Sequence, residues 1–234
     1  MSRNFELLRQ AGWGEEYLEG IPTPVPSRRS PVPIAKHADP VHPSDRISAL
    51  VQKLFSGNGD SQMRCVVFLG WAESGSGTSV CGRAARRLAE QVPDRVCVVD
   101  TKFERPSVHE FFGKDNLAGL RDAVEHSRGG DKFAKQVADT NLWVLPAGAP
   151  DKGRRGDISQ SGLAACLQQL RTEYEYLLID APPLSSNSEL SALARASDGA
   201  VLVVGASGVT ADAALRGRAR LRKANLRLLG MVLN

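Results

Sequence analysis

The sequence predicts an α/β fold with a doubly wound, mostly parallel sheet, and three observations support this prediction. Short apolar runs recur along the chain, segments with helical periodicity separate most of them, and a Gly/Ser-rich turn follows the first run. Apolar strands that alternate with helices are typical of a parallel sheet covered on both faces. Because ligands bind such sheets beyond the carboxyl ends of the strands, we expect the functional site there.

The individual elements follow from the spacing of the apolar residues. The predicted strands are Cys65–Leu69, Val96–Val99, Trp143–Leu145, Leu177–Ile179, Ala200–Val204 and Leu228–Leu233. The predicted helices are Ser79–Gln91, Leu117–His126, Leu163–Thr172, Glu189–Ala196 and Thr210–Ala224. Together they predict one domain, residues 44–234, which has an ordinary size for a single domain.

Residues 1–43 are expected to be a disordered, Pro-rich extension. Seven of the 13 prolines lie between Pro22 and Pro43, and such a stretch forms neither a helix nor a packed core. The first residues before it show a few apolar side chains near helical spacing. They are interpreted either as a frayed helix or as a small docking element on a linker.

Composition excludes several classes of protein. No apolar run approaches the roughly 18 residues of a membrane-spanning helix, and the N-terminus shows no apolar segment of a secretory signal. The four cysteines form no C-x-x-C pair, which favours buried thiols in a cytoplasmic protein over disulfides or a metal site. The net charge of +4 is too small to indicate nucleic-acid binding.

The Gly/Ser-rich turn predicts a phosphate-binding loop. Gly75 and Gly77 would let successive backbone N–H groups converge on an anion, and Ser79 stands where a hydroxyl would bind Mg²⁺. The lysine that usually precedes this hydroxyl is replaced by Thr78. Loss of that charge-assisted contact, worth about 1.5–3 kcal/mol, predicts weakened ATP or ADP binding and still weaker phosphoryl transfer. The alternative is a tight turn that binds no ligand.

Four segments together resemble the bacterial tyrosine autokinases of capsule and exopolysaccharide assembly, which belong with MinD and ParA to the deviant-Walker P-loop NTPases. The segments are SGSGTS at 74–79, VCVVDTKFERPSVHEFFG at 96–113, YEYLLIDAPPLSSNSEL at 174–190 and LRLLGMVLN at 226–234. The resemblance covers about residues 64–234. It implies a P-loop NTPase fold and a nucleotide as the ligand.

The resemblance also implies the roles of individual residues. Asp180 would hold Mg²⁺ through water together with Ser79, and Asp100 would help to orient the metal and the attacking group. Asn234 matches an asparagine that contacts adenine in related proteins. The expected phosphate contacts are Gly75, Ser76, Gly77, Thr78 and Ser79.

Lys102 has two interpretations. The second acidic motif of the family is D-x-D-x-R, and here Lys102 replaces its second aspartate. In one interpretation Lys102 reaches the phosphates in place of the missing loop lysine, which would make it part of the catalytic site with Asp100 and Asp180. In the favoured one it is a solvated loop residue. An ammonium near the metal position argues against Mg²⁺ binding.

These departures predict a cytoplasmic regulator or scaffold of exopolysaccharide or capsule biosynthesis and export, with weak or absent phosphoryl transfer. The resemblance implies recruitment to the inner face of the membrane by an inner-membrane polysaccharide chain-length or export protein, and it leaves a homo-oligomer open. The tyrosine-rich tail of the family is not seen, and only Tyr17, Tyr174 and Tyr176 are present. The family's E-x-x-R-x-x-R helix motif is also missing from the matching region, residues 45–50.

Two other functions remain as alternatives. One is an active, ATP-dependent protein-tyrosine autokinase of the same pathway. The other, less favoured, is a positioning ATPase of the MinD/ParA type, which would carry an additional lysine where this chain has Glu73.

Overall fold

Seven strands form one sheet with helices on both faces in the computed structural model, which describes residues 43–56, 62–72, 76–126, 129–149, 158–185, 188–205 and 210–234. The strands are β1 (Cys65–Gly70), β2 (Val96–Asp100), β3 (Lys135–Gln136), β4 (Leu142–Leu145), β5 (Tyr176–Ala181), β6 (Gly199–Val204) and β7 (Leu228–Leu233). The helices are α1 (Pro43–Phe55), α2 (Ser76–Gln91), α3 (Val108–Phe112), α4 (Leu120–Glu125), α5 (Gln160–Glu173), α6 (Leu190–Ala196) and α7 (Ala211–Ala224).

The strand order is β3-β4-β2-β5-β1-β6-β7, and every neighbouring pair is parallel except β3 with β4. The predicted doubly wound, mostly parallel sheet is therefore confirmed. The register of the central strands decides where the site lies. Asp100 at the end of β2 lies beside Asp180 on β5, so two acidic residues meet at the carboxyl edge of the sheet.

Side chains alternate between two cores because successive residues of a strand point to opposite faces. On β1, Val66 and Phe68 pack in the core under α1, α2 and α3, whereas Val67 and Leu69 pack in the core under α4 to α7. Burial of both strand faces explains why the strands are continuous apolar runs. The four cysteine thiols are buried and free, as predicted.

All six predicted strands are present, and the structure adds elements that the pattern did not reveal. Strand β3 has only two residues, too few to show periodicity. Helices α1 and α3 were not predicted, although α1 precedes the first strand where the family's helix was expected. The predicted extension falls almost entirely outside the described residues, so its disorder stays a prediction.

None of the helices within the described ranges combines the length and apolar character that crossing a bilayer requires.

Gly119, the residue before α4, is expected not to tolerate a side chain. A Cβ atom there would overlap the carbonyl oxygen of Pro146 and lie 2.5 Å from the amide nitrogen of Gly148, both backbone atoms after β4. Gly119→Ala should therefore lower the free energy of unfolding by about 1–3 kcal/mol in urea denaturation. Gly230→Ala is the control, because nothing lies within 4 Å of a Cβ atom at that position. Equal stability of the two variants would contradict the expectation.

Candidate functional site

A cavity of about 290 Å³ opens at the carboxyl ends of β1, β2 and β5. Its walls come from these strand ends, from the first turn of α2 and from the segment that follows β2. The polar and charged lining residues are Thr78, Thr101, Lys102, Glu104, Arg105, Ser107, Asp180, Ser188 and Glu189. The cavity lies where parallel α/β sheets bind their ligands.

The first turn of α2 closes one side of the cavity. Gly77 packs against the end of β1, so that a Cβ atom on it would lie 3.4 Å from the amide nitrogen of Gly70 and 3.8 Å from Asp180 Oδ1. Ser76 and Thr78 are buried in the same turn, and Thr78 faces the cavity. Ser79, the predicted metal ligand, is half-buried and is not among the described lining residues. Gly75 lies outside the described residues.

The ammonium group of Lys102 occupies the centre of the site. Its Nζ atom lies 2.6 Å from Asp180 Oδ2 and 2.6 Å from Ser107 Oγ, and it also donates a hydrogen bond to Thr78 Oγ1. The side chain is only 14% exposed. The favoured prediction of a solvated Lys102 was therefore wrong. The buried carboxylate of Asp180 draws the ammonium inward, because an unpaired buried charge is costly.

Asp100 holds the segment that carries Lys102. It is fully buried, and its Oδ1 accepts a hydrogen bond from the Lys102 backbone N–H at 3.0 Å. Its Oδ2 accepts from the N–H groups of Ser107 at 2.8 Å and Val108 at 2.9 Å. Burial raises the pKa of Asp100, while Lys102 and these three N–H groups act in the opposite direction. Both oxygens are thus engaged by the loop and by the start of α3.

Asp180 is the acidic group that faces the cavity. Its side chain is 1% exposed, and burial raises its pKa from 3.8 to about 6. The positive charge of Lys102 lowers this pKa and the neighbouring charge of Asp100 raises it again. At neutral pH the carboxyl group is therefore ionised and paired with Lys102.

Ser107 is a site residue that the sequence analysis missed. It is the N-cap residue of α3, yet its hydroxyl makes no capping hydrogen bond. Asp100 satisfies the first N–H groups of α3 instead, which leaves the Ser107 hydroxyl 2.9 Å from Thr78 Oγ1 and beside Lys102. The sequence does contain a signal, since Ser107-Val-His-Glu110 matches the start of a capped helix.

Asn234 is placed away from these residues. It follows β7, its side chain is exposed, and its backbone N–H donates to the Val204 carbonyl oxygen at 3.0 Å. It does not line the cavity as far as the described chain defines it. Its role in adenine contact stays a prediction.

The side chains do not fit the Mg²⁺ ion that the resemblance implies. The ammonium of Lys102 already contacts Asp180, one of the two predicted metal ligands, and it also donates to Thr78. At about 4 Å and an effective dielectric constant near 20, such an ammonium repels each unit of metal charge by about 4 kcal/mol. Elsewhere in the described ranges, no group of three or more His, Cys, Asp or Glu side chains could hold a metal ion.

The raised pKa of Asp180 predicts a pH-dependent contribution to stability. Because its pKa is higher in the folded chain than the ordinary 3.8, this contribution is complete below about pH 4 and is lost as the pH rises through about 6. Asp180→Asn removes it. The free energy of unfolding of the variant relative to wild type should thus increase by on the order of 2 kcal/mol across this pH range in urea denaturation. Parallel pH profiles would contradict this, and Asp212→Asn, at an exposed site, is the control.

Known proteins resemble this chain in sequence and in fold. No protein-family model matches the sequence. The putative tyrosine-protein kinase CapB of Staphylococcus aureus is 23% identical over 191 residues, which are 82% of this chain and 83% of CapB. The tyrosine-protein kinase YwqD of Bacillus subtilis is 22% identical over 175 residues, which are 75% of this chain and 73% of YwqD.

Solved structures show the same fold. The chimerical protein CapA2B2 matches with a TM-score of 0.72 at 20% identity, over 85% of this chain and 87% of that one. The kinase domain of Escherichia coli tyrosine kinase ETK has a TM-score of 0.70 at 19% identity, over 82% and 74%. The MinD cell division protein of Aquifex aeolicus has a TM-score of 0.58 at 16% identity, over 73% and 67%. The chain is therefore a relative of proteins named as bacterial tyrosine-protein kinases, and it has the P-loop NTPase fold of their kinase domains and of MinD.

Proposed function

We propose that this chain is a degenerate, tyrosine-kinase-like P-loop protein that regulates or scaffolds exopolysaccharide or capsule biosynthesis and export, with weak or absent phosphoryl transfer. The observation that carries the proposal is the ion pair between Lys102 and Asp180. In this pair the Lys102 ammonium contacts the Asp180 carboxylate, the group that would otherwise face the metal ion.

Phosphoryl transfer depends on cations that offset the charge of the group in transit. The loop lysine that would supply one such charge is Thr78 in this chain. Lys102 could supply another, but its charge is compensated by Asp180 and its three N–H donors already face oxygens of Asp180, Ser107 and Thr78. The site therefore lacks the excess positive charge that accelerates the reaction.

The burial of two tyrosines gives further support. Tyr174 and Tyr176 are 2% and 5% exposed, so neither is an accessible phosphate acceptor within the described part of the chain. Tyr17 lies outside that part.

The pathway and the partner rest on the motifs shared with the capsule and exopolysaccharide autokinases. We infer from this resemblance that the chain is recruited to the cytoplasmic end of an inner-membrane chain-length or export protein. In such a complex, a domain that has the kinase fold but transfers phosphate slowly or not at all would act by binding its partner. A nucleotide would then serve as an allosteric ligand rather than as a phosphate donor.

Rebuilding the family pattern should restore metal dependence. In Thr78→Lys/Lys102→Asp, the loop regains its lysine and the second motif regains its aspartate. We expect ADP to raise the melting temperature of this variant only when Mg²⁺ is present, by the mass action of a ligand that binds the folded state. Thr78→Lys alone is the matched control and should show no Mg²⁺ requirement, because Lys102 still occupies Asp180. Stabilisation of the wild type that requires Mg²⁺ would contradict the proposal.

Autophosphorylation separates the proposal from the alternative of an active kinase. After incubation with ATP and Mg²⁺, wild type should contain no more phosphotyrosine than Asp180→Ala, as measured by mass spectrometry. ATP-dependent phosphotyrosine that is present in wild type and lost in Asp180→Ala would establish an active autokinase instead.

A further inference from the structure

The geometry points to a metal-free binding site for a ligand with a diphosphate group, such as a nucleoside diphosphate, in which the ammonium of Lys102 replaces the divalent ion. The inference deepens the proposed function, since it concerns how the same cavity binds its ligand once metal-dependent chemistry is lost.

The first argument is the set of oxygens around the ammonium. Thr78 at the start of α2, Ser107 before α3 and Asp180 on β5 each direct one oxygen at the Nζ atom. A lysine ammonium has three N–H donors, and each of them has an oxygen partner here. Carboxylate and hydroxyl oxygens are also the ligands that a hard divalent ion takes. The Lys102 ammonium therefore contacts the kinds of oxygen atoms that would coordinate a divalent metal ion.

The second argument concerns the protons of the two hydroxyl groups. Thr78 Oγ1 and Ser107 Oγ accept hydrogen bonds from Lys102 and lie 2.9 Å from each other. A hydroxyl that accepts one hydrogen bond still carries a proton to donate. Both groups line the cavity, and because one hydroxyl donates its proton to the other, the second keeps a proton that it can donate to a phosphate oxygen while the ammonium stays in place.

The third argument is the surroundings of the ammonium. The N-terminus of α2, a helix of 16 residues, opens beside it, and a helix N-terminus favours anions. The buried carboxylate of Asp180 is held by the Lys102 ammonium and by the Thr78 side chain, which lie on the same side of the cavity.

The charge of the lining sets the expected strength of binding. The charged residues that line the described part of the cavity are Lys102, Arg105, Glu104, Asp180 and Glu189. Among the described lining residues the carboxylates outnumber the cations by one, so binding should be weaker than at a metal-loaded site. The probe ligand therefore has to be used at millimolar concentration.

The experiment measures the melting temperature and calorimetric affinity of the full chain with ADP in excess EDTA, and again with Mg²⁺. Inorganic pyrophosphate is the second probe. We expect ADP to stabilise the wild type in EDTA, with no gain from Mg²⁺. Lys102→Met should weaken ADP binding about tenfold or more, because it removes the positive charge next to the phosphates and the group that holds both hydroxyls in place. Lys223→Met, at an exposed position on α7, is the matched control and should bind as the wild type does.

Lys102→Met leaves the carboxylate of Asp180 unpaired, so a second variant guards against misfolding. Lys102→Met/Asp180→Asn removes both charges and should fold, as checked by circular dichroism, yet should bind ADP no better than Lys102→Met. Lys102→Arg retains the charge and should retain part of the affinity. If pyrophosphate binds as tightly as ADP, the site recognises the phosphates alone. If pyrophosphate binds more weakly than ADP, the nucleoside also contributes to binding. Both results support the site.

Three results would overturn the inference. Absence of any stabilisation of the wild type by ADP or pyrophosphate would leave the cavity without a ligand of this class, although the proposed loss of phosphoryl transfer would still stand. Unchanged ADP affinity in folded Lys102→Met would show that the ammonium does not take part. Binding that requires Mg²⁺ would overturn both this inference and the proposed function.

Discussion

Two buried carboxylates side by side on the central strands are the constraint around which the site is arranged. The register of β2 and β5 places Asp100 next to Asp180, and both are almost inaccessible to water. Neighbouring buried charges of the same sign are costly unless each is compensated. Backbone N–H groups compensate Asp100, and the Lys102 ammonium compensates Asp180. The loop after β2 supplies both kinds of compensation.

This arrangement does not imply that the Lys102–Asp180 pair stabilises the fold. Removing two charges from water costs several kcal/mol for each ion, which roughly offsets their attraction. A pair that contributes little to stability, but lines the cavity at the carboxyl edge of the sheet, is more readily explained by what it binds.

Much of the fold could be predicted because burial leaves a direct trace in the sequence. The strands are buried on both faces and so appear as apolar runs, and the glycines mark the turn before α2. Helix α3 and strand β3 escaped prediction because five and two residues are too few to show a period. The direction of the Lys102 side chain could not be predicted either. It depends on Asp180, which is distant in sequence and adjacent only after β2 and β5 pair.

The three hydrogen bonds that Asp100 accepts have a consequence for how such a site can change during evolution. They go to backbone N–H groups, including that of residue 102, and to no side chain of the loop. The path of the loop is therefore independent of the side chain at position 102. The same backbone can carry either a short carboxylate, which ends near the loop, or the longer ammonium, which reaches Asp180. A substitution at this one residue can thus exchange a site that requires a metal ion for a site that carries its own cation. The surrounding chain keeps its fold.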